Sequence, residues 1–373
     1  MKYYIIAGEA SGDLHASNLM KEIKLHDAKA DFRFWGGDLM QAQGGRMVKH
    51  YKDLAFMGFI EVIKNLRYIL KNIDFCKKDL IAYRPHVIIL VDYPGFNLRI
   101  AKYAKLTGFR VYYYISPQIW AWKQSRIKDI KRDVDRMFVI LPFEKKFYQQ
   151  FNYPVDFVGH PLLDALPEVL EYNNAQKTIA LLPGSRKQEI TTMLPVMLQA
   201  AKQFTNYKII VAAAPSIDPA FYHQFTQNSN AQLIIGKTYE VLQNAYCAMV
   251  TSGTATLETA LLNVPQVVCY KGNRFSYLIA RSVIKVKYIS LVNLILDKPA
   301  VKEIIQSEFT VNNLVAEVQK ICEPVNRENI FNDYSNLKTM LGNKGASART
   351  ADLMWRYLNK KNIDTTWELS NAK

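Results

Sequence analysis

Short apolar segments alternate with longer amphipathic segments along most of the chain, and this alternation limits its fold more than any other feature. Strands that alternate with helices pair in parallel, and the helices cover both faces of the sheet. The pattern therefore predicts an α/β protein. The predicted strands are residues 2–7, 32–35, 86–91, 110–115, 136–140 and 155–158 in the first half, and 178–182, 208–212, 232–235, 248–250 and 266–269 in the second.

The length and one irregular segment predict two domains. The chain has 373 residues, which is more than one hydrophobic core usually supports. The alternation lapses over residues 159–177, where two prolines and an Asn-Asn turn precede the next strand. We predict two doubly wound, Rossmann-like domains, residues 1–165 and 166–345, that face a cleft. Only helices are predicted after residue 269, and residues 346–373 form a C-terminal helix and tail that either packs on the first domain or exchanges between protomers.

Charge and cysteine content restrict the partners and the compartment. The formal net charge is +15, which favours nucleic acid, an anionic lipid surface or a phosphorylated ligand, although solubility alone also accounts for it. The four cysteines form no C-x-x-C motif, and the first residues lead directly into a strand, so we expect a cytoplasmic protein with reduced thiols. No apolar run is long enough to span a bilayer.

Two motifs follow strands of the first half. In GEASGD, residues 8–13, the glycines permit a tight turn and Ser11 is a candidate helix N-cap, which indicates either an anion or sugar site or a capped loop without a ligand. In VDYPGFN, residues 91–97, Asp92 is either a general base or a turn-capping carboxylate. Trp120 and Trp122 follow a third strand, and we expect one to pack and the other to line a site.

Two helix starts in the second half are suited to phosphate groups. LLPGSRKQEI places Ser185 as a cap and Arg186 at the start of a helix, where a guanidinium can bind a phosphate that also faces backbone amides. VTSGTATLETA repeats the arrangement, with small residues at 252–254 and Glu258 one turn further in, where a carboxylate can bind ribose hydroxyls. The pair of motifs indicates a nucleoside diphosphate site.

Residues 54–72 combine apolar side chains with a basic flank, which is typical of a helix that lies on an anionic bilayer and equally of a helix that buries one face. The six histidines show no metal-ligand spacing, so we expect no metal and no cofactor.

Seven motifs together resemble those of the lipid-A-disaccharide synthase family, over about residues 3–305. They are GEASGD, DYPGFN, SPQIWAW, FVGHPLLD, LLPGSRKQEI, SGTATLE and YISLVNLIL, in that order. The resemblance implies an inverting glycosyltransferase of the glycosyltransferase-B fold, peripherally associated with the inner membrane. It would join UDP-2,3-diacylglucosamine to 2,3-diacylglucosamine 1-phosphate (lipid X), forming a β-1,6 disaccharide and UDP. The implied partners are these two substrates and an anionic membrane surface, without nucleic acid, and a homodimer is compatible with the family.

The resemblance also implies roles for individual residues. Asp92 would be the general base that takes the proton from the acceptor 6-hydroxyl. Residues on the acceptor and reacting-sugar side would be Ser11, Gly12 and Asn97, and those on the UDP side Ser185, Arg186, Ser252, Gly253, Thr254, Glu258 and Asn293. Val292 stands where the family usually has proline. Alternatives are another UDP-GlcNAc-using enzyme of the same fold, either the peptidoglycan transferase or the 2-epimerase, a non-catalytic nucleotide-binding protein, and a basic nucleic-acid-binding protein, for which no motif is present.

Overall fold

A computed structural model describes residues 1–54, 66–167, 177–272 and 286–359. It divides into two compact units. The first comprises Met1–Asp164 and the chain from Leu341 onward, and the second comprises Ala165–Met340. Residues 55–65 of the apolar segment 54–72 lie outside the described residues, as do residues 168–176 of the irregular segment 159–177 and the tail from residue 360.

The first unit contains a seven-stranded parallel sheet in the order β3-β2-β1-β4-β5-β6-β7. The strands are β1 Lys2–Ala7, β2 Asp31–Gly36, β3 Arg46–His50, β4 Val87–Val91, β5 Val111–Tyr114, β6 Arg136–Val139 and β7 Asp156–Phe157. The helices are α1 Ala10–His26, α2 Asp38–Ala42, α3 Leu66–Tyr83, α4 Pro94–Leu106, α5 Ile127–Asp133, α6 Pro142–Gln149 and α7 Leu162–Ala165. Every residue of β4 is buried because both faces of this central strand are covered.

The second unit contains a six-stranded parallel sheet in the order β10-β9-β8-β11-β12-β13. The strands are β8 Thr178–Leu182, β9 Lys208–Ala213, β10 Gln232–Ile235, β11 Cys247–Thr251, β12 Gln266–Tyr270 and β13 Lys302–Ile305. The helices are α8 Lys187–Ala201, α9 Pro219–Thr226, α10 Thr238–Gln243, α11 Thr254–Leu261, α12 Leu291–Leu296, α13 Val311–Cys322 and α14 Pro324–Leu341.

The last described helix, α15 Ala346–Leu358, packs against α1 in the first unit. Its N-terminus is capped from a distant part of the sequence, because the Asp164 carboxylate accepts hydrogen bonds from the backbone amides of Gly345, Ala346 and Ser347. Arg349 adds a bond from Nε to the Val158 carbonyl at 2.9 Å. A carboxylate at this position satisfies orphan amides and interacts favourably with the helix dipole.

Every strand predicted from the sequence is present within one residue at each end, and the α/β prediction is confirmed. The prediction of only helices after residue 269 is wrong, because β13 extends the second sheet, and β3 was also not predicted. Both are edge strands with few buried residues, so their sequences, RMVKH and KEII, lack the apolar run that marks a central strand.

Candidate functional site

Each sheet has one point at which the strand order reverses. In the first sheet this point lies between β1 and β4, and in the second sheet between β8 and β11. Ligands of doubly wound sheets bind outside the carboxyl ends of the strands at such a point, because the connections diverge there and leave a crevice. The four connections concerned contain GEASGD, VDYPGFN, LLPGSRKQEI and VTSGTATLETA.

The connection after β1 differs from the expected capped turn. Helix α1 begins at Ala10 with Glu9 at the N-cap position, so Ser11 is an exposed residue of the first turn and the prediction that it is the N-cap is wrong. Gly12 is buried, and a β-carbon there would lie 3.2 Å from the Cβ of Ala7. At Gly8 a β-carbon would lie 2.3 Å from the Tyr93 ring, so this glycine lets the connection after β4 pack onto the one after β1.

Asp92 is held in an unusual backbone conformation at the end of β4. Asp92 and Tyr93 both have positive φ, 46° and 49°, which non-glycine residues rarely adopt. Three hydrogen bonds hold the main chain of Asp92. Its amide donates to the Tyr114 carbonyl at 3.0 Å, and its carbonyl accepts from the Tyr113 hydroxyl at 2.6 Å and from Asn97 Nδ2 at 2.7 Å. The backbone is therefore fixed while the side chain stays partly exposed.

Asn97 has a supporting place in this arrangement. It is 0% exposed, and its Nδ2 also lies within hydrogen-bond distance of the Ile6 and Val91 carbonyls. The amide therefore ties the ends of β1 and β4 to the Asp92 main chain. Its Oδ1 is buried and has no hydrogen-bond partner among the described residues, and the acceptor-side contact implied by the resemblance stays a prediction.

The surroundings of Asp92 give its carboxyl group a pKa that suits proton transfer. Burial raises the pKa of Asp92 to about 7, and the negative charges of Glu9 and Glu144 add to this effect. A general base is most effective when its pKa lies near the working pH. The sequence patterns identified Asp92 as a candidate but not the two carboxylates that raise its pKa.

Glu144 lies in the first turn of α6 and is almost fully buried. Its carboxylate accepts hydrogen bonds from the Ser116 hydroxyl and from the Ile140 and Leu141 amides, and burial raises its pKa to about 7. Glu144 lies three residues after Leu141, and Pro142 occupies the first helical position. This spacing is typical of a helix N-terminus and could have identified Glu144 from the sequence.

Trp120 and Trp122 occupy different environments. Trp120 is 9% exposed and packs edge-on against Phe143, with ring centroids 4.9 Å apart. Trp122 is 39% exposed, and its ring lies near Lys123 and Arg126. Trp120 is therefore the packing residue, and Trp122 is the one that can contact a ligand.

The switch point of the second sheet presents two helix N-termini. Helix α8 has Arg186, not Ser185, at its N-cap position, so the expected Ser185 cap is wrong. Glu189 substitutes for it, since its carboxylate accepts from the Ser185 amide at 3.1 Å and from Arg186 Nη1 at 3.0 Å. Ser185 and Arg186 are both exposed, which leaves the guanidinium accessible to an anion.

Helix α11 begins at Thr254 with Gly253 at the N-cap position and no side-chain cap. Gly253 and Thr254 are exposed, and a β-carbon at Gly253 would meet nothing within 4 Å. The Ser252 hydroxyl donates to the Ile289 carbonyl at 3.1 Å, which joins this turn to the segment before α12. The N-terminus of α11 is thus open, and its first amides are available to an anion.

Glu258 and Asn293 lie deeper in the second unit. Burial raises the pKa of Glu258, whose Oε1 accepts from the Tyr239 hydroxyl at 3.2 Å. Asn293 is 1% exposed, and its side chain bonds to both backbone groups of Val301 and to Glu303 Oε1 at 2.8–2.9 Å. Asn293 thus joins α12 to β13, and its implied approach to the diphosphate stays a prediction. Val292 beside it is fully buried.

No group of three or more His, Cys, Asp or Glu residues in the described part of the chain could hold a metal ion. None of its helices is both long enough and apolar enough to cross a membrane.

Solved structures with the same fold define the class of protein. The calicheamicin glycosyltransferase CalG4 matches with a TM-score of 0.62 and 15% identity, covering 96% of this chain and 98% of that chain. The UDP-GlcNAc 2-epimerase from Neisseria meningitidis, bound to UDP-GlcNAc, matches with a TM-score of 0.67 and 12% identity, covering 95% and 100%. Two parallel α/β units of this kind constitute the glycosyltransferase-B fold.

Sequence comparison narrows the class to one family. A family described as Lipid-A-disaccharide synthetase matches residues 3–354. Lipid-A-disaccharide synthase of Syntrophus aciditrophicus (strain SB) is 39% identical over 373 residues, covering 95% of this chain and 97% of the relative. The enzyme of Geobacter metallireducens is 36% identical, covering 96% and 97%. The chain belongs to the lipid-A-disaccharide synthase family and is a glycosyltransferase, as the sequence motifs predicted.

Proposed function

We propose that this enzyme transfers 2,3-diacylglucosamine from UDP-2,3-diacylglucosamine to the 6-hydroxyl of 2,3-diacylglucosamine 1-phosphate, or lipid X. The products are the β-1,6-linked disaccharide 1-phosphate and UDP. Family membership supports the reaction type. The observation that carries the proposal is Asp92, a partly exposed carboxylate on a rigid loop at the sheet switch point, with its pKa raised to about 7.

On the acceptor side, Asp92 acts as the general base. Its carboxylate form accepts the proton of the 6-hydroxyl, and the hydroxyl oxygen bonds to the anomeric carbon of the donor as the bond to the UDP oxygen breaks. A single displacement of this kind inverts the anomeric configuration. Exposed Ser11 in the first turn of α1 lies in the connection neighbouring that of Asp92, and buried Gly12 permits the close packing of α1 on β1.

On the donor side, the second unit supplies fixed positive charge. We assign the diphosphate of UDP to the N-termini of α8 and α11, with the Arg186 guanidinium, Ser185, and residues 252–254 around it. When the diphosphate binds, it competes with Glu189 for Arg186, so this carboxylate holds the guanidinium in place before the substrate arrives. Glu258 is assigned to the ribose hydroxyls. Structural neighbours bound to UDP or UDP-GlcNAc support a uridine nucleotide as the ligand.

We further propose that the first unit rests on the anionic inner leaflet, where both acylated substrates reside. The described part of the apolar segment supports this placement, because α3 exposes apolar and basic side chains together. Leu70 is 48% exposed and Phe75 50% exposed, and Arg67 and Lys71 are exposed on the same helix. Apolar side chains beside lysine and arginine are suited to the interface of an anionic bilayer.

One incubation tests the proposal. The purified enzyme is incubated with UDP-2,3-diacylglucosamine and lipid X, and the products are read by mass spectrometry and by UDP release. We expect the disaccharide 1-phosphate from the wild type, and from Asp92→Asn a loss of turnover with UDP affinity unchanged. Formation of no disaccharide would overturn the proposed substrates, and full turnover by Asp92→Asn would overturn the assignment of the base. Unacylated UDP-GlcNAc, which the 2-epimerase and the peptidoglycan transferase use, serves as the control donor and is expected to give no product.

A further inference from the structure

The connection between β5 and α5, residues 115–126, contains two positive charges at the same edge of the sheet as the proposed catalytic base. It leaves the carboxyl end of β5, the strand that pairs with β4, and Asp92 follows β4 directly. The connection ends in a 3-10 turn, Gln124–Arg126, and includes the exposed Trp122. Trp122, Lys123 and Arg126 form what we call the β5 cation cluster.

Lysine and arginine are rare in the connections at this edge of the sheet. In the described connections that leave the carboxyl ends of the seven strands, the only lysines and arginines are Lys52, Lys123 and Arg126. Lys52 faces a carboxylate, with its Nζ 3.8 Å from Asp38 Oδ2. Within the part of the chain that the structure describes, neither Lys123 nor Arg126 has a carboxylate within ion-pair distance. They are therefore the cations at this edge that an incoming anion can reach without displacing an acid.

Trp122 restrains both charges. Lys123 Nζ lies 4.5 Å from the centroid of the Trp122 ring, and Arg126 Cζ lies 5.6 Å from it. Cations at this distance from an indole face are attracted by its electrons, so the ring limits the positions that the two side chains occupy. Arg126 is also half-buried, which removes part of its hydration, and no carboxylate compensates for this loss in the described residues. A bound anion would supply the missing partner.

Tyr113 is a neighbour of both Asp92 and Arg126. The Tyr113 hydroxyl donates to the Asp92 carbonyl at 2.6 Å. Burial raises the pKa of Tyr113 well above its usual value, and the positive charge of Arg126 opposes this effect. The carboxylates at this edge, among them Glu9, Asp92 and Glu144, would repel a phosphate in their anionic forms, so an acceptor that carries one needs a positive counterpart here.

We propose that the β5 cation cluster binds the anomeric phosphate of the acceptor and thereby selects phosphorylated over unphosphorylated acceptor sugars. The inference rests on the proposed function, because it takes the acceptor to be a sugar phosphate whose hydroxyl reaches Asp92. The donor diphosphate is assigned to Arg186 and two helix N-termini of the second unit, which leaves the cluster for the acceptor. The planar guanidinium of Arg126 can donate two parallel hydrogen bonds to two phosphate oxygens, and Lys123 adds a second positive charge.

The test compares two acceptors in neutral detergent micelles, lipid X and the same diacylglucosamine with a methyl group in place of the phosphate. The variants are Arg126→Gln, Lys123→Gln and, as a matched control, Lys128→Gln, which removes an exposed lysine two residues beyond Arg126. For Arg126→Gln we expect the KM for lipid X to rise about 10-fold to 100-fold, the range for losing a hydrogen bond to a charged group, with kcat changed little. The KM for the methyl glycoside and for the UDP-sugar should stay unchanged, as should all constants of Lys128→Gln.

Several outcomes would overturn the inference. An equal rise in KM for both acceptors would assign the cluster to acyl-chain or detergent contact, and a rise confined to the UDP-sugar would assign it to the donor. An unchanged KM for lipid X in both cluster variants would exclude a role in binding the acceptor. Lys123→Gln alters an exposed side chain and keeps the test usable if Arg126→Gln does not fold. If the wild type forms disaccharide from neither acceptor, the proposed function fails instead, which separates the two hypotheses.

Discussion

Replacing Glu9 by glutamine removes one of the negative charges that raise the pKa of Asp92 while keeping the size of the side chain. The pKa of Asp92 rises from its model-compound value of 3.8 to about 7, with burial as the largest cause and Glu9 as the next. Glu9 therefore contributes less to the raised pKa than burial does. We expect Glu9→Gln to lower the pKa of Asp92 by about 0.5 to 1.5, less than the roughly 1 to 3 produced by a charge in direct contact.

The consequence is a change in the pH dependence of the reaction. Because the carboxylate form of Asp92 is the base, kcat/KM for the acceptor should rise with pH through a wild-type pKa near 7. In Glu9→Gln the part of the profile in which kcat/KM rises with pH, the acid limb, should have its midpoint at about pH 5.5 to 6.5. The ratio of the rate at pH 6 to the plateau rate should therefore increase.

Initial rates of UDP release between pH 5 and pH 9 measure both profiles. Asp53→Asn is the matched control, since it removes an exposed carboxylate from the connection after β3 and should leave the acid limb in place. An acid limb that stays near pH 7 in Glu9→Gln, or moves to higher pH, would refute the electrostatic reasoning. A lower plateau with an unmoved limb would mean that Glu9 contacts the substrate instead.

Three further predictions concern other parts of the molecule. Arg186→Ala should lower kcat/KM for the UDP-sugar by about 100-fold, because a fixed hydrogen-bond donor to the leaving group is lost. The control Lys187→Ala should change this constant little. An effect confined to the constants of the acceptor would contradict the assignment of Arg186. Asp164→Ala removes the cap of α15 and should reduce the free energy of unfolding by about 1 to 2 kcal/mol, with faster amide exchange in α15, and an unchanged melting temperature would argue against the cap. Cys247 Sγ and Cys322 Sγ lie 3.7 Å apart. The oxidant diamide should therefore accept two electrons and two protons from this pair and leave a disulfide, which peptide mass spectrometry detects. Disulfides through Cys76 or Cys269 instead would contradict the observed proximity.

The positions of the strands and of the candidate site were predictable from the sequence because both depend on local patterns. An apolar run such as VIILV, buried throughout, identifies a central parallel strand, and the residue that follows it must lie at the carboxyl edge of the sheet. Asp92, Arg186 and Gly253 were identified in this way, and they lie beside the two switch points. The other two edge strands, β7 and β10, were predicted, but β3 and β13 were missed because charged residues in RMVKH and KEII interrupt their apolar pattern.

The chemical state of the site depends on contacts between residues that are far apart in the sequence. Glu9 and Glu144 raise the pKa of Asp92 only because the sheet order brings β1 and β6 near β4. The positions of these residues in the sequence do not predict that they are neighbours in the fold. The resemblance assigns Asn97 and Asn293 to ligand contacts, and only the fold shows that their Nδ2 groups also donate to backbone carbonyls. The sequence by itself determined which elements form and which residues follow them, because apolar periodicity is local. Only the tertiary structure decided which of those side chains are accessible and how they are charged, because burial and electrostatic interactions depend on the neighbours that folding brings together.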